Sequence, residues 1–165
     1  MEVRIFESYR VENREDWKLL ECRFKPTPEG RFPRNWRSWC AHSRRAGHSI
    51  ALAAYGVSKP LFNTLGLEGP GGALFGVYDR PGLVREIINR FSSLYFACAE
   101  KALQEARVDF VVITDELAGI DGLLFSPDTM RELFLAPLAE LAGLIRSRGI
   151  DTVLLYQRGN LNVPN

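Results

Sequence analysis

Two acidic side chains, Asp115 and Glu116, follow Thr114 at the end of the apolar run Phe110, Val111, Val112, Ile113. A carboxylate at the end of a buried strand can move a proton or hold a substrate cation. Neighbouring residues of a strand point to opposite faces, so a strand that persists this far presents only one of the pair to a site. In the competing structural reading, one carboxylate caps the following loop and the other pairs with a nearby arginine. A second polar group, Tyr156, Gln157, Arg158, Gly159 and Asn160, follows another apolar run. Arg158 can grip a carboxylate with two parallel N–H donors. Its structural alternative is a solvated arginine, and that of Asn160 is a residue that fixes its own loop. Asp121, between Ile120 and Gly122, reads as a turn residue.

Other candidates fall to their structural readings. His42 and His48 flank Arg44 and Arg45 without acidic or thiolate neighbours, so they read as surface histidines. Cys22, Cys40 and Cys98 share no metal-ligand spacing and are odd in number, the usage of reduced thiols in a cytoplasmic protein. No metal site and no cofactor are expected. The glycines between Gly66 and Gly76 lack the phosphate-loop pattern and read as a connection. Arg31, Arg34, Trp36, Arg37, Trp39, Arg44 and Arg45 resemble a stacking, phosphate-neutralising surface, but there is no wider basic field. Tryptophans packed inward with arginines outside is the preferred account, and no nucleic-acid partner is expected.

The elements that must position these residues are those of an α/β fold. The run at 109–114 reads as a strand buried on both faces, which belongs in a parallel sheet covered by helices. Residues 49–54 and 152–155 read as further buried strands. Asn13, with Asp16 three residues on, caps a short helix that includes Trp17. Residues 35–45 form a second helix and residues 59–67 a helical turn. Asp79 and Arg80 precede a long helix with Pro81 at an early position; Leu83, Ile87, Phe91, Leu94, Cys98 and Ala102 mark its apolar face. Ser126 and Pro127 open another helix, which Pro137 should kink and Gly149 should end. Strand, helix, strand makes a crossover unit, right-handed by rule.

Composition places this in a soluble globular class, with 46% apolar and 25% charged residues in 165. The net charge is +1. Residues 1–50 carry eleven basic against seven acidic side chains, and the remaining residues lean acidic. No apolar run nears the roughly 20 residues of a membrane helix, and the charged start does not read as a signal peptide. A cytoplasmic protein with no membrane partner is expected.

The sequence resembles the uroporphyrinogen decarboxylase superfamily, which includes corrinoid-dependent methyltransferases. The match rests on Arg14-Glu15-Asp16-Trp17, on Asp79-Arg80-Pro81, on the strand tip ending Gly159-Asn160, and above all on one ordered set. That set is Asp115 to Gly119, Ser126-Pro127, and the helix Met130 to Pro137. The resemblance implies a partial (β/α)₈ TIM barrel, the N-terminal and middle portion, as one domain over residues 1–165. Residues 1–49 are its lead-in and 50–165 its βα units. It implies catalytic roles for Asp115 and Glu116 and substrate contacts for Tyr156, Arg158 and Asn160, at the C-terminal mouth where barrel enzymes place their sites. The implied ligand is a tetrapyrrole or small carboxylate, decarboxylated without metal or organic cofactor. Tyr156 and Arg158 stand where the methyltransferase branch carries zinc ligands. The alternatives are therefore a methyltransferase-like protein without its zinc site, a non-catalytic binding domain, or an inert fragment. An unfinished barrel edge further implies self-association.

Overall fold

The computed structural model describes residues 11–66 and 72–161. Its first helix, α1 (Arg14–Glu21), starts where the sequence places a cap. The Asp16 N–H donates to the Asn13 side chain at 2.9 Å, and the Glu12 N–H donates to the Asp16 carboxylate at 3.1 Å. These paired bonds satisfy donors that a helix start leaves open. Helix α2 (Trp36–Arg45) follows, then strand β1 (Ala51–Tyr55), α3 (Ser58–Leu65), α4 (Ala73–Asp79) and the 25-residue α5 (Pro81–Glu105). Strand β2 (Phe110–Asp115) leads into a short antiparallel hairpin, β3 (Ala118–Gly119) and β4 (Gly122–Leu123). The next helix opens as α6 (Pro127–Thr129), passes through a π-helical segment (Met130–Leu135) and continues as α7 (Ala136–Ser147). Strand β5 (Val153–Gln157) comes last.

β1, β2 and β5 form a parallel sheet in that order. Ala51 to Tyr55 align with Phe110 to Thr114, and Val111 to Asp115 align with Val153 to Gln157. The architecture is therefore mixed α/β. The described strands form an open sheet with β1 and β5 at its edges. Val111 and Ile113 point into a core with Ala99 of α5 and Leu141 and Ile145 of α7, so helices cover one face. A larger core joins Trp17, Leu61, Ile87 and Phe134, binding α1, α3 and α5 to the π-helical segment. Asp109 ties the opposite end of the sheet to α2: its carboxylate accepts two bonds from Arg44 and one from the Ile50 N–H.

Three expectations about burial need correction. The strand at residues 49–54 runs over Ala51–Tyr55 with alternate residues exposed. In β2, residues 111, 113 and 115 are buried, while 110, 112 and 114 are only half-buried. In β5, Leu154 is 51% and Tyr156 53% exposed. The cause is shared. Ala51, Ala53, Leu154 and Tyr156 alternate onto the face opposite the α5 and α7 core, and β1 and β5 are edges. An apolar run shows that a strand suits burial, and it takes a neighbour to bury it.

Smaller differences follow the same logic. Residues 67–71 of the glycine-rich segment lie outside the described residues, and Ala73–Asp79, read as part of that connection, is α4. Trp39 is 61% exposed instead of packed inward. Trp36 is half-buried, and its indole N–H donates to Glu105 at 3.2 Å. The kink expected at Pro137 takes the form of the wider π-helical turn just before it, which accommodates a residue without an N–H to donate. Among the described residues, no helix is long and apolar enough to cross a membrane.

Candidate rim at the strand ends

Three parallel strands deliver their C-terminal ends to one rim. Tyr55 ends β1, Asp115 ends β2 with Glu116 next, and Gln157 ends β5 with Arg158 next. Thr114 is level with Tyr156, and Asp115 with Gln157. Carrying the register one residue further sets Glu116 beside Arg158, on strands ~4.8 Å apart.

The two acidic residues separate sharply. Asp115 is fully buried. It shares the covered face with Val111 and Ile113, and its carboxylate is turned to the start of α3. It accepts the N–H groups of Val57 at 3.2 Å and Ser58 at 3.1 Å, and also the Ser58 hydroxyl. The Glu116 N–H adds a bond at 3.0 Å. Gly56 makes the approach possible, because a Cβ there would collide with this same carboxylate. Asp115 therefore caps α3 and locks the β1–α3 turn, a stronger form of the structural alternative than a loop cap. It is not presented at the rim.

Glu116 is presented there. Its carboxylate accepts from the Lys59 ammonium at 2.5 Å, with the two side chains 32% and 30% exposed. The partner is a lysine of α3, held in place by the turn that Asp115 locks. Tyr156 stands on the open face of the sheet. Arg158 is exposed, and among the described residues no acidic group pairs with its guanidinium. The Asn160 backbone N–H donates to the Gly119 carbonyl at 2.9 Å, so Asn160 anchors its own segment to the hairpin.

Gln157 and Gly159, not singled out as site residues from the sequence, fix the geometry of the rim. The Gln157 side-chain oxygen accepts the Leu117 N–H at 2.8 Å. Gly159 has φ +95°, and a Cβ there would collide with the carbonyls of Ala118 and Gly119. The β3–β4 hairpin is thus held against the tip of β5, with Ile120 at its turn 92% exposed. One sequence signal pointed to the hairpin: Asp121-Gly122, a pair favoured in tight turns between strands. Ser58, three positions after Tyr55, carried the signature of a helix start.

Electrostatically the rim carries a compensated Glu116–Lys59 pair, with the cation of Arg158 and the phenol of Tyr156 on the neighbouring strand end. That set suits an anion that accepts hydrogen bonds. Among the described residues, no three His, Cys, Asp or Glu side chains gather as metal ligands would. The protein matches no family model, no curated protein and no solved structure.

Proposed function

We propose that this protein forms part of a (β/α)₈ barrel of the uroporphyrinogen decarboxylase type, and that its rim binds a carboxylate-bearing small molecule of the tetrapyrrole class. The carrying observation is the parallel β1-β2-β5 order, which brings Glu116, Tyr156 and Arg158 to one edge. A sheet with helices on one face and, among the described residues, its other face open is also what a segment of barrel wall requires. Arg158 takes a ligand carboxylate through two N–H donors. Glu116, steadied by Lys59, accepts pyrrole N–H groups and stabilises the positive charge that develops on a protonated ring. In the reaction itself, ring protonation draws electrons from the bond that joins a ring substituent to its carboxylate, and CO₂ leaves. The carbon left behind then takes a proton as the ring returns its own. Asp115 is a positioning residue in this scheme, since it holds the turn that carries Lys59.

A second reading, binding without catalysis, draws on the enclosure of Asp115, which leaves Glu116 as the one of the two carboxylates at the rim. Titration with uroporphyrin, followed by its fluorescence, tests binding; incubation with the reduced porphyrinogen, followed by CO₂ release, tests chemistry. Saturable binding is expected, weakened about tenfold or more in Arg158→Ala, as loss of a charged hydrogen bond implies. Binding with no CO₂ released selects the second reading. A folded protein that shows no saturable binding removes both.

A further inference from the structure

A cleft of about 270 Å³ opens beside the rim, between α1, α3 and α5. Phe24 and Phe91 line it as part of the main core, with ring centroids 4.5 Å apart. Tyr55, Lys59, Asn63 and Tyr95 supply the polar part of the lining. Among the described residues, the Tyr55 and Tyr95 hydroxyls and the Asn63 amide make no hydrogen bond to protein. Lys59 is the cleft's charged group, reached from the neighbouring strand by Glu116. Burial, together with Tyr55 and Asp115 nearby, pushes the Tyr95 phenol up to about 12, so it remains a neutral donor.

We infer that this cleft is a binding site for a single-ring aromatic carboxylate. Size argues for one ring: a cavity of roughly 150 Å³ accommodates benzene, and the remaining space takes a carboxyl substituent. Aromatic walls favour a flat ring through offset or tilted stacking. Polarity argues for the anion. The Lys59 ammonium spends one of its three donors on Glu116 and keeps two for a carboxylate, and phenol and amide groups supply neutral N–H and O–H donors. A cationic ring brings no acceptor for these donors, and a neutral hydroxyl brings a weaker one than a carboxylate does. The site does not depend on the barrel reading, because it is built from α1 and the turn that follows it (Cys22–Phe24), α3, α5 and the end of β1. It shares with the rim Tyr55, at the end of β1, and Lys59, the partner of Glu116.

The test is titration of the full-length protein with benzoate, benzylammonium and benzyl alcohol, followed by the tyrosine ring resonances and by calorimetry. Benzoate should bind saturably, shift the Tyr55 and Tyr95 signals, and exceed the other two in affinity about tenfold, the worth of one charge-assisted bond. Lys59→Met should abolish that preference. Asn63→Trp, a change at an exposed position that fills the cleft, should abolish binding of all three while the circular dichroism spectrum is kept. Equal affinities for the three rings, or benzoate binding unaltered by Asn63→Trp, would overturn the proposal. Uroporphyrin binding measured on the same samples separates the two sites: its loss with benzoate binding retained removes the rim reading alone, and the reverse removes the cleft alone.

Discussion

Asp115 shows how a residue type can be legible while its use is not. The sequence marks a carboxylate at a strand end, but the strand's parity turns it to the covered face, where the donors of Val57 and Ser58 converge on it. Only the fold brings residues 57 and 58 there, from more than fifty positions away. Asp115→Asn swaps one acceptor oxygen for an N–H₂ that must face a donor. The expected cost is about 1–3 kcal/mol, from a buried group left without its partner. A fall in the urea midpoint with unchanged slope is the signature; an unchanged midpoint would show that the carboxylate does not hold the turn. Glu105 offers a test through pH. Bonds from Arg37 and Lys101 hold its carboxyl down to about 2 from an ordinary 4.5. A carboxyl lowered on folding stabilises the fold above its ordinary value, and that contribution is lost as pH falls from about 4.5 toward 2. The stability difference between the parent and Arg37→Met should therefore be present at pH 7 and shrink by pH 2.5. The same difference at both values would contradict the pairing.

Elements announced by local chemistry were legible, and those that depend on neighbours were not. Asn13, Pro81 and Ser126 begin helices where their side chains or fixed backbone predict, since a cap needs only its own next turn. The π-helical turn before Pro137 was readable as a disturbance and not as its form, because kinking and widening both relieve a missing donor. Helix α4 escaped notice among glycines, although Leu74 and Val77 pack toward the main core. The hairpin is the clearest case. Its two-residue strands carry no periodicity, and its position comes from Gln157 at the tip of β5 and Gly159 just past it, about forty residues away. Gly159→Ala would drive a Cβ into backbone carbonyls at a φ that disfavours side chains. We expect a loss of about 1–3 kcal/mol, as for overpacking, with faster amide exchange at Leu117 and Asn160. Retention of protection at both would show that the close approach is not needed.

At the scale of the whole molecule, the sheet has, among the described residues, two edges and an open face bearing Leu154 and Tyr156. Unpaired parallel edges recruit other strands, so the isolated protein is expected to self-associate. Sedimentation velocity should show mass rising with concentration; a monomer throughout a hundredfold dilution series would count against an accessible edge. The order β1-β2-β5 was foreseeable only as a rule of parallel connection, since sequence fixes neither which strand is central nor what covers it. The hairpin, finally, is clamped at its base and projects at its turn. A backbone bond from Asn160 and the Gln157 side chain fix one end, while Ile120 at the other touches almost nothing. That division makes residues 120–121 a port for foreign sequence. A guest peptide of about ten residues spliced there lengthens a loop at small entropic cost and leaves the clamp intact. The molecule should carry a fluorophore or an epitope at the border of its candidate rim and still melt as the parent does.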